Sequence, residues 1–292
     1  MQLNDFGAIV TYFLQLVLGH NSLYATHNDS QERLMTAKIL FEMLSSSIGQ
    51  LTLSQPKRRN AINAKMWNDL PEVLNNASKN KGLKALIVTG DGAHFSSGAD
   101  ISEFESLYST PESAEKTSLG ISNGLESLAT FPLPTIAMIR GTCVGGGCAL
   151  ALSCDIRFAD ATSKFAITPA KLGLVYPFSD VQRLIETVGI PHAKDMLFSA
   201  RPIQAKVARK MGLINQIFKV DNLEAKTLAY ANNMSALSTQ SLAVTKQMFA
   251  AYQSGLFTNS EQTTDWFQSR FSSQDFKTGY KAFLEKRKPD FS

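Results

Sequence analysis

The chain has little cysteine. Its three residues, Cys143, Cys148 and Cys154, fall inside one short stretch of a 292-residue sequence that carries only four histidines. No second Cys or His cluster answers them, so neither a disulfide framework nor a metal site is expected, and buried thiols in a reducing, cytoplasmic compartment are. A membrane-length apolar run is also missing. The stretch Phe6 to Leu18 is interrupted by Thr11, Tyr12 and Gln15 and falls short of the ~20 residues a span requires. Asp5 stands where a secretory signal would carry its basic residues. This segment reads as an anchor or targeting helix or, in better agreement with its composition, as an extension ahead of a domain that opens near Met35. Blocks of one charge are absent as well: 29 Lys+Arg against 25 Asp+Glu leave a net +4, and a pI near 8.9 without a basic tract does not point to a nucleic-acid partner. There is no internal repeat and no low-complexity tract.

What is present is an ordinary globular composition, 44% hydrophobic and 18% charged, with enough length for a substantial core. Ile39, Phe41 and Met43 alternate with other residues, and Ile48 to Leu53 follows Ser45-Ser46-Ser47, the pattern of a β-hairpin. Met66, Leu70, Val73, Leu74 and Ala77 recur at helical spacing. Leu83 to Thr89 and Thr135 to Ile139 are short continuous apolar runs of the buried-strand kind, with a helix between them after Pro111. Asp155 to Ala159 and Ser163 to Ile167 read as two more strands. After Asp180 nearly everything reads as helix: Val181 to Val188, with Asp180 as its cap, then His192 to Phe198, Gln204 to Met211 and four segments from Leu223 to Glu285, with Ile214 to Phe218 the one strand-like exception. The expectation is an α/β protein with an extension over 1–37, an α/β core over 38–222 and a helical region over 223–292.

Two glycine-bearing loops follow buried strands. One is Asp91-Gly92-Ala93-His94-Phe95-Ser96-Ser97-Gly98-Ala99-Asp100. The other is Gly141-Thr142-Cys143-Val144-Gly145-Gly146-Gly147-Cys148, opening a helix through Ser153. Small residues there bring bare backbone N–H groups to a surface, and the helix start adds partial positive charge. Two such N–H groups converging from separate loops make an oxyanion hole. Neither loop has the spacing of a dinucleotide fingerprint or a nucleotide-triphosphate loop.

Pro56 to Asn63, Phe95 to Ile101, Gly145 to Ala151, Gln182-Arg183-Leu184 and the ending Ala282 to Pro289, in that order and separation, resemble the enoyl-CoA hydratase/isomerase (crotonase) superfamily from about Lys38 onward. The resemblance implies a spiral of ββα units followed by a helical trimerisation region, assembling as a homotrimer or homohexamer. It implies an acyl-CoA thioester substrate, with coenzyme A entering only as part of the substrate and no permanently bound cofactor. By position, the oxyanion-hole amides would be those of Ala99 and Gly146. Ala99, Asp100, Ile101 and Ser102 would line the pantetheine path, Lys57 and Arg58 would lie near the nucleotide, and Phe283 and Lys286 would cover the CoA, from a neighbouring subunit in one version.

The pattern is broken where the family's hydratases carry two glutamates: here those positions are Ala149 and Ala170. Alanine cannot carry a proton, so the two-carboxylate route to water addition is closed. Thr168-Pro169, Leu172-Gly173 and Tyr176, with the Phe283 to Pro289 ending, resemble the methylmalonyl-CoA decarboxylase branch. That branch has a histidine at the Ala99 position and a glutamate at the Ala149 position, both absent here. Loss of CO₂ needs no base, only stabilisation of the enolate, with Tyr176 expected to face the substrate. Decarboxylation of a malonyl-type CoA ester is therefore the sharpest expectation. A hydratase or isomerase using another group, such as Asp100 or Tyr176, and a non-catalytic acyl-CoA-binding protein are the alternatives.

Overall fold

The structure, a computed structural model, describes residues 37–291; the Phe6 to Leu18 stretch lies outside the described residues. Strands β1 (Lys38–Met43) and β2 (Ile48–Ser54) form the expected antiparallel hairpin, Ile39 opposite Leu53 and Phe41 opposite Leu51. Helix α1 (Ala64–Ser78) is capped by Asn63, whose side chain accepts from Met66 N at 2.8 Å, and it buries Met66, Trp67, Leu70, Leu74 and Ala77. Strand β3 (Ala85–Gly90) precedes the short helix α2 (Phe104–Leu107) and helix α3 (Pro111–Ala129), which Thr110 and Ser113 start with reciprocal capping bonds. There follow β4 (Thr135–Ile139), β5 (Thr142–Val144), α4 (Gly146–Leu152), β6 (Ile156–Asp160) and β7 (Lys164–Ala166). Then come α5 (Phe178–Ser199), β8 (Ile203–Gln204), α6 (Ala205–Lys210) and β9 (Gln216–Phe218). The chain ends in α7 (Leu223–Ser235), α8 (Thr239–Gln253), α9 (Glu261–Gln268) and α10 (Gln274–Leu284).

Six strands form one sheet in the order β1-β2-β3-β4-β6-β9, parallel from β2 onward. Successive residues on a strand face opposite ways, and both faces are covered. Leu51, Leu53, Leu86, Val88, Ala137 and Ile139 pack towards α1, while Ile48, Ala85, Ile87, Ile136, Met138 and Phe158 meet Leu223 and Ala231 of α7. This two-sided burial is why β3 and β4 read as unbroken apolar runs. Helix α7 thus closes the sheet, and residues 223–235 are part of the α/β core even though they lie past position 222. A second sheet, β5-β7-β8, stands beside the first.

The helices expected over 181–188 and 192–198 both form: α5 holds two helical runs parted at Gly189, whose φ 74°, ψ 161° is not helical, ahead of Pro191. One local expectation changes, at the start of the first run. Asp180 does not cap it: the helix starts at Phe178 with Pro177 before it, and the Asp180 carboxylate pairs at 3.2 Å with Arg183 one turn on. Burial pushes the Asp180 carboxyl up from 3.8 to about 6, against the pull of Arg183. A carboxyl raised on folding contributes stability that is complete below about pH 4 and is lost as pH rises through about 6. The wild type is therefore expected to gain thermal stability between pH 7 and pH 5 relative to Asp180→Asn. Parallel melting curves for the two proteins over that range would refute this.

Candidate functional site

The two glycine loops are sewn to each other and to the start of α1. Ser96 N donates to Thr142 O at 3.0 Å and Val144 N to Ser96 O at 3.0 Å, so the first loop pairs with β5 as if it were another strand. Ile62 N donates to Gly98 O at 2.7 Å and Asp100 N to Ile62 O at 3.0 Å. In that parallel bridge the N–H of Ala99, lying between the two bonded residues, turns to the other side. Gly146 is the first residue of α4, where helix N–H groups have no intrahelical acceptor. Neither the Ala99 nor the Gly146 amide has a partner among the described residues.

The two amides lie together. A Cβ built on Gly146 would sit 3.4 Å from Ala99 N, and one on Gly98 would sit 3.2 Å from Gly146 N and 2.8 Å from Val144 O. Gly98 also has φ +98°, a region that side chains avoid. Gly147 is held to hydrogen by contact as well, since a Cβ there would meet the Ser96 side chain and carbonyl at 2.8 Å.

Asp100 anchors the first loop. Its buried carboxylate accepts from Arg58 Nη1 at 2.6 and 2.7 Å, Gln55 Nε2 at 3.2 Å, and Ser102 N and Oγ at 3.2 and 2.7 Å. Arg58, expected near a nucleotide, is thus committed to Asp100 and also meets Ser102 Oγ. Lys57 beside it is exposed. His94 is part of the scaffold: its Nδ1 accepts from Thr142 N at 3.2 Å, and burial with the Arg59 charge holds its pKa below the ordinary value.

A cavity of about 240 Å³ opens beside Ala99, walled by Trp67, Asp100, Glu103, Phe104, Leu107 and Ile121 among others. Ile101 and Ser102 belong to the turn leading to it, and Ser102 is exposed. Phe283 is 83% exposed on α10, Lys286 follows that helix, and neither lines this cavity. Glu103 is the carboxylate that motif reading missed. Half-buried, it accepts from Ala64 N at 2.8 Å at the start of α1, and burial raises its pKa against that bond. Its position three residues past Ala99–Asp100 was the available signal.

Ala149 is 2% exposed and its N–H donates to Gly145 O at 3.1 Å, while Ala170 sits in an exposed turn. The Tyr176 hydroxyl, expected to face substrate, donates to the same Gly145 carbonyl at 3.3 Å, and burial above all keeps it protonated by pushing its pKa well up. In a trans peptide the carbonyl and the following N–H point opposite ways. Tyr176 therefore grips the far end of the peptide that presents the Gly146 N–H. Among the described residues no group of three His, Cys, Asp or Glu side chains is arranged to hold a metal, and no helix is long and apolar enough to cross a membrane.

The chain is similar to known proteins over most of its length. A protein solved as an enoyl-CoA hydratase/isomerase family member from Hyphomonas neptunium superposes with a TM-score of 0.84 at 36% identity, covering 87% of this chain and 97% of that one. A protein of Bacillus subtilis named probable enoyl-CoA hydratase is 34% identical over 84% of this chain and 95% of its own. The short-chain-enoyl-CoA hydratase of Clostridium acetobutylicum is 31% identical over 82% of this chain and 92% of its own. The spiral of ββα units is the crotonase architecture. The sequence profile of the enoyl-CoA hydratase/isomerase family matches residues 43–292, and the chain belongs to that family.

Proposed function

We propose that the protein is an acyl-CoA enzyme in which the Ala99 and Gly146 amides hold the thioester oxygen as an enolate forms, and that its reaction is decarboxylation of a malonyl-type CoA ester. The observation that carries this is the pair of adjacent, unpartnered amides beside a cavity combined with alanine at 149 and 170. In the reaction the bond between the α-carbon and the carboxylate breaks, its electron pair passes to the α-carbon, and the charge spreads onto the oxygen between the two N–H groups. CO₂ departs and a solvent proton completes the product. No carboxylate base is required.

Tyr176 acts here as a positioning residue through Gly145. Lys57 is the exposed cation left for the nucleotide end, with Arg58 and the Asp100 to Ser102 turn shaping the pantetheine path. The exposed aromatics of the C-terminal region, Phe249 and Phe283 on helices and Phe257 on the connection between α8 and α9, support a homotrimer or homohexamer in which Phe283 and Lys286 reach a neighbour's CoA. Three free, buried thiols fit a cytoplasmic setting.

A second reading, hydration or isomerisation with another acid/base, is favoured by Glu103 on the cavity wall and by the names of the relatives. Incubation with methylmalonyl-CoA and crotonyl-CoA separates the two. Decarboxylation predicts CO₂ release, about tenfold slower in Tyr176→Phe, as for loss of one neutral hydrogen bond, and indifferent to Glu103→Gln. Hydration of crotonyl-CoA abolished by Glu103→Gln, with no CO₂ from methylmalonyl-CoA, would establish the second reading instead. Tight ester binding without any turnover would reduce the protein to an acyl-CoA binder.

A further inference from the structure

Among the described residues, three buried side-chain polar atoms have no hydrogen-bond partner: Thr239 Oγ1, Arg270 Nε and Trp67 Nε1. Only the last belongs to a residue lining the cavity beside Ala99. Trp67 is 3% exposed, and a buried donor left unpaired costs on the order of 1–3 kcal/mol. Its neighbours in the site are, by contrast, satisfied: Asp100 by Gln55, Arg58 and Ser102, and Glu103 by Ala64. The direction of the indole follows from its contacts. Its Cζ2 lies 3.1 Å from the Cβ position of Gly146, and its Cε3 lies 3.3 Å from that of Gly124 on the opposite side. In an indole ring the N–H stands on the Cζ2 flank, so this N–H is turned to the side where the Ala99 and Gly146 amides lie, away from α3.

We propose that Trp67 Nε1–H is a specificity-determining donor that binds an oxygen of the acyl group next to the thioester, and that the substrate is therefore an acyl-CoA bearing a carboxylate on its α-carbon. The proposal rests on the reading of Ala99 and Gly146 as the thioester grip. A plain alkyl group would leave the indole N–H buried and unpaired, and sites built to bond a substrate polar group discriminate strongly against analogues that lack it. A carboxylate would satisfy it, within a wall that carries Phe104, Leu107 and Ile121 together with Glu103 and Lys116. An ionised carboxylate accepts at about four lone-pair sites. One neutral donor orients it while leaving most of its solvation unreplaced, the condition that favours its departure as CO₂.

The test compares two CoA esters that cannot lose CO₂: propionyl-CoA and its 2-sulfonate derivative, in which a sulfonate stands for the carboxylate. The chain has two tryptophans, so Trp266→Phe assigns the indole signals of ¹⁵N-labelled protein. The expected result is a downfield shift of the Trp67 indole proton with the sulfonate ester and not with propionyl-CoA. Trp67→Phe should weaken the sulfonate ester about 10- to 100-fold and change propionyl-CoA binding by less than about threefold. If both esters bind and move the indole signal alike, with the preference untouched in Trp67→Phe, the donor role is overturned and the thioester grip stands. Failure of both esters to bind overturns the grip and the donor role together. The indole shift is read on protein with native Trp67, so it decides the matter even if Trp67→Phe does not fold.

Discussion

Alanine at position 98 is expected to lower kcat/KM by about 100-fold or more, the scale of losing one oxyanion donor, in a protein that still folds. The new Cβ would stand 3.2 Å from Gly146 N and 2.8 Å from Val144 O. It would push the two glycine loops apart at the point where both amides must meet one oxygen. Backbone strain contributes too, because the residue has φ +98°, and roughly 1–2 kcal/mol is typical for a side chain forced there. Gly92 separates the two effects. It lies in the same loop with φ +70°, and a Cβ there would meet nothing within 4 Å. Gly92→Ala should therefore lose similar stability and keep its rate, whereas Gly98→Ala should lose both. Equal rates for the two variants under saturating and limiting substrate would mean that the amides of Ala99 and Gly146 do not act on the same atom.

Arg58→Ala is expected to give the largest loss of stability. Arg58 is the cation bonded to the buried Asp100 carboxylate, and stranding a buried charge typically costs 3–5 kcal/mol. With the Arg58 side chain 27% exposed, water offsets part of this, and about 2 kcal/mol is a fair discount. At 2–4 °C per kcal/mol for a chain of this size, Tm should fall by about 4–8 °C. Because Asp100 holds the turn that follows Ala99, the rate should fall as well. Arg58→Lys should recover part of the Tm, since a point charge replaces the planar guanidinium. A calorimetric Tm unchanged in Arg58→Ala would show that Gln55 and Ser102 suffice to hold Asp100.

Much of this molecule was readable before any coordinates. The hairpin, the buried strands at 85–90 and 135–139 and the helix after Pro111 follow from hydrophobic period and turn residues, and those signals are local. Of the small sheet only the middle strand, β7, was readable. Strands β5 and β8 have three and two residues, too short for a period, and β5 hides inside a glycine loop. The break at Gly189 was readable too, because a glycine before Pro191 is an ordinary stop signal, and the helical runs on its two sides are separate. At the site, the two glycine loops were visible as spacing and residue type. Trp67 was not, because an aromatic on the inner face of α1 looks like core, and only its unpaired nitrogen distinguishes it. Asp180 was read as a cap from its place before a helical run, whereas the helix begins two residues earlier and takes the carboxylate into its first turn.

The first loop and β5 are joined by the Ser96–Cys143 bridge, which ties together the segments that lead to the two N–H groups. Since both belong to the main chain, most substitutions at Ala99 or Gly146 would leave the hydrogen in place. Heritable change can then act on the surroundings, exchanging one chemistry for another on an inherited chassis. On the decarboxylase proposal, alanine at 149 and 170 is what such an exchange leaves behind, and kinship alone is a poor guide to which reaction a descendant performs.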